Sequence, residues 1–584
     1  MDTSYFLYKG RVLFLFIVLC LSTLTVHAQT DPDPEQLRRQ QELIRQLRLK
    51  LFPESDVRLQ APIDPSIGEI LPHEQACYTI KTITLQALDR NGEPTDKHPF
   101  LWAQEAANNT DKGTLDTPIS RCLGSAGINL VMKRIQNAIV AKGFVTTRVL
   151  AGPQNLKTGE LRLMVIPGRI RELRMQDPAS STALLSAIPA DEGEMLYLRD
   201  IEQGLENLKR VPSAEADIQI APSTANNARP GDSDLIVVWR QKRPHRVNLS
   251  LDNAGSESTG KYQGALTLSY DNPFKRNDLF YFTLNNDLDG GQSGERGTSG
   301  KTLHYSIPWA YWLLSGTAGE SEYFQAIAGA TEESIYRGTN ETRELSLART
   351  VYRDAKRKTQ LQLAGWQRNS NNFIDDTEVE IQRRKMAGWE FSINHTEYLP
   401  RTTVQVQLKQ RQGTGAFGSL AAPEDNFDEG TARPKITKLN LTTTTPFRLW
   451  GQSWSVRNNL RAQWNQTPLI PQDRFSIGSR YTVRGFDGQR TLSGDRGSLI
   501  RNDLSMRIGQ SNHQIVLGFD YGSVDGQSTS TLIGEHLAGA SLGFKGVFNT
   551  LNLSYDLAYA TPISEPDGFE SDSDVINANL NWGF

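Results

Sequence analysis

One segment of the chain has the residue types and spacing of a nucleotide site. Gly294–Thr302 ends in Gly-Lys-Thr, the residues with which a phosphate-binding loop holds a nucleotide. Such a loop also needs a glycine at the position of Glu295, where a carboxylate would repel phosphate. The segment lies between two expected strands and does not open a helix. We therefore interpret it as a flexible surface loop.

The histidines and cysteines do not have the spacing of metal ligands. The chain has 8 His and 3 Cys, without a His-x₃-His or Cys-x₂-Cys pattern. The sequence therefore predicts no metal, no cofactor and no enzymatic activity.

The N-terminus carries the longest apolar run. Lys9 and Arg11 precede Val12–Cys20, and Val26-His27-Ala28 follows as a small-x-small cleavage site. Residues 1–28 are thus predicted to be a secretory signal peptide; an anchoring helix is the alternative. Cys77 and Cys122 remain after cleavage, and in an exported chain they form either a disulfide or two buried thiols.

Composition excludes several classes of protein. Among 584 residues, 63 Lys and Arg balance 66 Asp and Glu, so the net charge of −3 gives no reason to expect nucleic-acid binding. Apolar residues make up 38%, which excludes a bundle of transmembrane helices. A membrane β-barrel remains compatible, because its alternating strands carry a weak hydropathy signal.

Residues 29–53 are predicted to hold one isolated helix, over 34–52, with Asp33 as N-cap and Pro53 at its end. Its length is roughly 28 Å, and its charges forbid contact with lipid. It could lie in a polar lumen or on a solvated surface. The apolar positions are Leu37, Ile44, Leu47 and Leu51, and the basic ones are Arg38, Arg39, Arg45, Arg48 and Lys50.

Residues 54–73 are proline-rich and predict a semi-extended linker. Two similar α/β units follow, at 74–167 and 168–243. The first has strands at 78–86, 144–151 and 160–166 around a helix over 129–142, which Gly143 ends. The second has strands near 169–175, 216–221 and 234–240, with apolar positions at helical spacing from Leu198 to Leu208.

From residue 244 to 584, strands alternate with Gly/Asn/Asp/Ser loops. A first count gives seventeen strands, and treating 378–396 as one strand gives sixteen, the even number that a closed antiparallel barrel favours. The last strand is the clearest, because Ile576, Ala578, Leu580, Trp582 and Phe584 alternate with Asn577, Asn579, Asn581 and Gly583. A soluble sandwich edge has the same period. The terminal aromatic residue and the predicted signal peptide favour an outer-membrane barrel.

Several motifs are similar to those of a known family. They include Tyr481–Gly488, Gly494–Gly497, Arg501–Leu504, Gly143–Arg148, Pro167–Ile170, Asp252–Gly255 and Gly518–Gly522. Together they resemble the two-partner secretion transporters (TpsB) of the Omp85 superfamily, the hemolysin secretion/activation family. The cysteine pair looks more like the ShlB/CdiB branch than the FhaC branch.

The resemblance covers nearly the whole mature chain and implies its fold. That fold is a transmembrane β-barrel of 16 antiparallel strands, preceded by two small α/β periplasmic POTRA domains and an N-terminal plug helix. It also implies a long loop at 467–496 that folds into the lumen. Its tip would be Val483, Arg484, Gly485 and Phe486, and Arg484 would meet Asp520 on a strand.

Arginine suits this role because its planar fork fits a carboxylate bidentately, whereas lysine does not. In a wet lumen, we expect such a pair to act as a positioning latch of modest energy. The alternative is an ordinary arginine in a polar barrel. The resemblance also implies a disulfide between Cys77 and Cys122 and a C-terminal assembly signal at Trp582 and Phe584.

The function implied is export of one large exoprotein across the outer membrane of a Gram-negative bacterium, without ATP. The POTRA domains would bind the secretion domain of this partner in the periplasm. Other expected partners are outer-membrane lipid and the barrel-assembly machinery, and no nucleic acid is expected. The alternatives are an insertase of the same superfamily, a passive porin and, most remotely, an enzyme.

Overall fold

The computed structural model describes residues 32–51, 55–62, 70–110, 113–291, 293–328, 333–571 and 574–584. The predicted signal peptide, 1–28, lies outside the described residues. A helix, two α/β units and a closed sheet follow one another along the chain. Within the described part, no helix combines the length and apolar character that a membrane crossing requires.

Helix α1 spans Pro32–Leu51. The prediction that Asp33 is the N-cap is wrong, because Asp33 lies within the helix. Both Pro32 and Pro34 fit the first turn, where backbone N–H groups have no intrahelical acceptor and a missing donor costs nothing.

The first α/β unit packs helix α2, Ser125–Ala141, on a four-stranded sheet. The strands are β1 Tyr78–Thr79, β2 Thr82–Leu88, β3 Pro94–Thr95, β4 Cys122–Leu123, β5 Arg148–Leu150 and β6 Glu160–Ile166. The sheet order is β3-β2-β6-β5, with β2 and β6 parallel, while β1 pairs separately with β4. The core contains Leu85, Val131, Ile135, Ile139 and Leu163.

The strand predicted at 78–86 is therefore two strands. Ile80 donates its N–H to the carbonyl of Arg121, whereas Lys81 and Thr82 donate to that of Gly159, so the backbone changes partner at this point. The strand predicted at 144–151 shortens to Arg148–Leu150. Gly143 has φ +106°, which ends the helix as predicted.

The second α/β unit packs helix α3, Leu198–Leu208, on a three-stranded sheet of order β7-β9-β8. Its strands are β7 Arg169–Met175, β8 Ala214–Pro222 and β9 Asp232–Gln241. The core contains Ile170, Ile201, Leu205, Ile218, Leu235 and Val237. The predicted order of strand, helix, strand and strand matches this unit.

A closed barrel of sixteen antiparallel strands follows. The first seven are β10 His245–Asp252, β11 Gln263–Asp271, β12 Leu279–Asp287, β13 Arg296–Trp309, β14 Trp312–Ala328, β15 Glu333–Arg353 and β16 Arg357–Ile374. The others are β18 Arg384–Tyr398, β19 Thr403–Thr414, β20 Lys435–Leu449, β21 Gln452–Asn465, β24 Arg496–Arg507, β25 His513–Asp525, β26 His536–Phe548, β27 Leu553–Ser564 and β28 Val575–Gly583. Short strand β17, Thr377–Glu378, adds to β16 outside the barrel count.

The last strand closes the barrel by pairing with the first, with Leu251 opposite Leu580. Leu580, Trp582 and Phe584 are exposed and Asn577 is buried, as the alternation predicts for an apolar outer face and a polar inner face.

Two predictions about barrel strands need correction. The strand predicted at 378–396 starts at Arg384, because Asp375, at φ +53°, turns the chain back and a 3₁₀ turn, Glu380–Gln382, interrupts the pairing. The flexible loop predicted at Gly294–Thr302 is mostly strand, because β13 pairs with β14 as far as Arg296. Strands β13–β16 are longer than β10–β12.

Candidate functional site

The long loop between β21 and β24 spans residues 466–495 and folds back into the barrel. It contains a short hairpin of β22 Phe475–Ile477 and β23 Leu492–Gly494. Val483 and Phe486, at its tip, have no exposed surface. They belong to an apolar cluster with Ile477, Leu492, Leu499, Val524, Leu537 and Phe569, which joins the loop to the barrel wall.

Arg484 faces two carboxylates on the wall. Its Nε and Nη2 each donate to Asp520, at 2.6 Å, and its backbone N–H donates to the same side chain at 3.0 Å. Its Nη1 lies 2.7 Å from Asp503 Oδ1. The planar guanidinium thus binds Asp520 bidentately and uses its remaining nitrogen for Asp503.

Glycines on both sides make this approach possible. Gly485 has φ +106°, and a Cβ there would lie 2.4 Å from the carbonyl oxygen of Thr561. On the wall, a Cβ at Gly518 would lie 2.6 Å from Arg484 Nη2, and one at Gly539 would lie 1.7 Å from the Arg484 carbonyl oxygen. Side chains at these positions would push the tip away from Asp520.

The pair is buried, so the expectation of a wet contact is wrong. The Arg484 side chain is 11% exposed and that of Asp520 is 0% exposed. Removing one partner of a buried ion pair costs about 3–5 kcal/mol, because the other charge stays uncompensated. The physical reason is the apolar cluster of Val483 and Phe486, which excludes water from the tip.

Helix α1 lies inside the barrel, against the loop. Arg38 donates to the carbonyl of Pro471 at 2.5 Å, and Arg39 donates to that of Gly488. On the wall, Gln40 donates to Asn285 at 3.0 Å. These contacts favour the lumen over a solvated surface.

The predicted helix residues divide into two groups. In the N-terminal half, Leu37 is buried and Arg38 and Arg39 reach the loop. Further along, Ile44 is half-buried, and Arg45 and Arg48 are exposed. The side chain of Leu47 lies outside the described part of the structure.

The predicted linker is hydrogen-bonded to helix α3 and to the barrel. In its described part, Val57 and Leu59 donate their N–H groups to Glu206 at 3.1 Å and Glu202 at 2.8 Å, both on α3. Arg353, at the end of β15, donates to both carboxylates, at 2.9 and 3.0 Å. No local sequence pattern points to this junction, because its residues are far apart in sequence.

Glu206 is charged in this junction. Burial alone would raise its pKa, but hydrogen bonds from Arg353 and the charge of Lys358, whose Nζ lies 2.6 Å away, hold the pKa of Glu206 below its ordinary value. Ion pairs therefore join the second α/β unit to the barrel, and hydrogen bonds add the linker.

Cys77 and Cys122 are joined by a disulfide, which links the residue before β1 to the first residue of β4. We expect that changing both to serine lowers the free energy of unfolding of the first α/β unit by up to ~4 kcal/mol, since the unfolded loop gains entropy. Hydrogen exchange of the β2 and α2 amides in the full-length protein measures the effect. Reducing the unchanged protein should reproduce it; equal exchange in all three samples would contradict a stabilising role.

One pattern with catalytic spacing proves to be structural. Gly539–Gly543 reads Gly-x-Ser-x-Gly, the spacing of a nucleophile elbow, but it lies within β26 and not at a strand-to-helix turn. Among the described residues, no three His, Cys, Asp or Glu side chains lie close enough to hold a metal ion.

Known proteins match most of this chain. A family model described as haemolysin secretion/activation protein ShlB/FhaC/HecB matches residues 231–546. A ShlB-type POTRA model matches 105–168, and a further POTRA model matches 169–222. The two α/β units are therefore POTRA domains.

Individual proteins are similar to this chain over most of its length. The outer membrane transporter CdiB-2 of Burkholderia pseudomallei (strain 1026b) is 33% identical, over 97% of this chain and 98% of its own. The hemolysin transporter protein ShlB of Serratia marcescens is 26% identical over 73% of this chain and 74% of its own. The solved structure of CdiB from Acinetobacter baumannii, 28% identical, covers 94% of this chain and 98% of its own with a TM-score of 0.79.

Fold, site and relatives together define an outer-membrane transporter of two-partner secretion, with its POTRA domains in the periplasm. The chain belongs to the haemolysin secretion/activation family ShlB/FhaC/HecB.

Proposed function

We propose that this transporter exports one large TpsA-type exoprotein from the periplasm to the cell surface. A contact-dependent inhibition toxin, a hemolysin and an adhesin are the three candidate partners. The observation that carries the proposal is a lumen occupied by two elements, helix α1 and the Arg484 loop, with α1 hydrogen-bonded to both the loop and the wall. Polar contacts can exchange with water when an element leaves.

Recognition of the partner begins on the POTRA domains. Within the described chain, β8 is an edge strand of nine residues that pairs on one side only, with β9. Just before β8, Ser213 donates to Asp271 at 3.1 Å, at the periplasmic end of β11. An extended chain added to the free edge of β8 would gain main-chain hydrogen bonds beside the barrel entrance.

Export then proceeds without ATP. Helix α1 leaves the lumen, the Arg484 loop shifts, and the partner passes outward as an extended chain. Folding of the partner at the cell surface draws the chain through the pore. Two exposed aromatic residues, Trp582 in β28 and Phe584 just after it, serve earlier, as the signal by which the barrel-assembly machinery inserts this protein into lipid.

The decisive experiment uses the exoprotein encoded beside this gene. We expect its secretion to be lost without this transporter, while other outer-membrane proteins keep their levels. Unchanged secretion would contradict the proposal for that partner, and a general loss of outer-membrane proteins would favour an insertase.

The driving force has its own test. A partner whose folding is blocked by substitutions in its passenger region should remain in the pore, detected by crosslinking to the transporter. Free release of the unfolded partner into the medium would contradict folding as the driving force. A partner with conservative substitutions that still folds is the matched control.

A further inference from the structure

A second buried ion pair holds the first part of the long loop. At its start, Pro471–Asp473 forms a 3₁₀ turn. Arg368 of β16 donates from Nη1 to Asp473 Oδ1 at 3.0 Å and from Nη2 to Oδ2 at 3.2 Å. Both side chains are 5% exposed. This pair involves neither the Arg484 tip nor any residue of the motifs in the loop.

Asp473 sits among several cations. Besides Arg368, it interacts electrostatically with Arg411 of β19 and Lys438 of β20. Glu390 of β18 also faces these cations, and its Oε1 lies 2.6 Å from Nζ of Lys409. Without the Asp473 carboxylate, Arg368, Arg411 and Lys438 would repel one another and lose the counter-charge that the turn provides.

The same turn accepts hydrogen bonds from helix α1. Arg38 donates to the carbonyl of Pro471 at 2.5 Å and to that of Arg474 at 3.4 Å, the residues on either side of the 472–473 pair. The carbonyl of Asp473 itself accepts from Gln463 at 2.9 Å. The position of the acceptors for Arg38 therefore depends on where the Asp473 side chain is held.

We propose that Arg368 and Asp473 form a second latch, which positions the 471–474 turn and thereby retains helix α1 in the lumen. Breaking this latch releases the helix although every residue of α1 and the Arg484–Asp520 pair is unchanged. The inference rests on the proposed role of α1 as a removable plug, and it names the positioning residues that control its release.

The test measures helix release directly, without the partner. Gln40→Cys places a thiol where α1 meets the wall, and the native pair Cys77 and Cys122 is unreactive because it forms a disulfide. We expect Asp473→Asn to raise the rate of maleimide labelling at position 40 by about tenfold or more, since it breaks a buried pair and leaves Arg368 without its bidentate carboxylate. Arg368→Gln should raise the labelling rate less, because Arg411 and Lys438 still face the Asp473 carboxylate.

Asp525→Asn is the matched control. It removes a carboxylate from an exposed pair with Arg496, whose side chains are 53% and 57% exposed, and should leave the labelling rate unchanged. A slow rate in folded Asp473→Asn protein, with heat-modifiable mobility intact, would overturn the inference. If that variant does not fold, an unchanged rate in Arg368→Gln has the same meaning. Neither result depends on secretion, so failure here is distinct from failure of the proposed export function.

Discussion

Arg484→Ala is expected to reduce secretion of the partner by at least about tenfold while the barrel still assembles. The change leaves the fully buried Asp520 without its bidentate partner, and the nearest remaining cation, Arg501, lies 3.8 Å away. The tip then loses its fixed position on the wall. The sixteen-stranded backbone ladder does not involve the Arg484 side chain, so assembly should continue.

Secretion of the partner and heat-modifiable mobility of the barrel, measured in the same cells, test this expectation. Arg484→Lys should restore secretion only in part, because an ammonium group cannot bind Asp520 bidentately. Arg496→Ala, which breaks an exposed pair, is the control and should secrete normally. Normal secretion by Asp520→Ala would show that the pairing is dispensable.

Deletion of residues 34–52 is expected to raise the single-channel conductance several-fold. A helix with its side chains is about 10–12 Å across, and α1 contacts both the wall, at Asn285, and the loop, at Gly488. Its removal should therefore widen the path for ions. Recording purified full-length and deleted proteins in planar bilayers measures the change.

Arg45→Ala and Arg48→Ala provide the control for this deletion. Both residues are exposed on α1, so the helix should stay in place and the conductance should change little. An unchanged conductance after deletion of the whole helix would place the main barrier to ions elsewhere, for example in the Arg484 loop.

Local patterns in the sequence predicted the two α/β units and a first count of seventeen strands. The count of sixteen came from treating 378–396 as one strand, since a closed antiparallel barrel favours an even number. Period-two alternation in the last strand predicted which residues face outward, and the helical spacing from Leu198 to Leu208 predicted α3. The motif around Arg484 pointed to Asp520 through resemblance to a family, since no local rule links residues 36 positions apart.

The structural predictions from sequence were wrong where pairing with a distant segment decides the local structure. The segment Gly294–Thr302 has the glycine content of a loop, yet from Arg296 onward it is strand because β14 extends beside it. Residues 78–86 form two strands, because the backbone segment to which this stretch hydrogen-bonds changes at Lys81. Asp33 has the chemistry of an N-cap, but the helix starts one residue earlier, at Pro32.

Residue types, their alternation and their motifs thus determined the class of this protein, its barrel face and the Arg484 tip. Only the tertiary structure decided that the Arg484–Asp520 pair is dry, that Arg368 meets Asp473, and that the linker lies on α3. The physical reason is that burial and ion pairing depend on distances between segments far apart in sequence. Those distances are set by closure of the whole barrel.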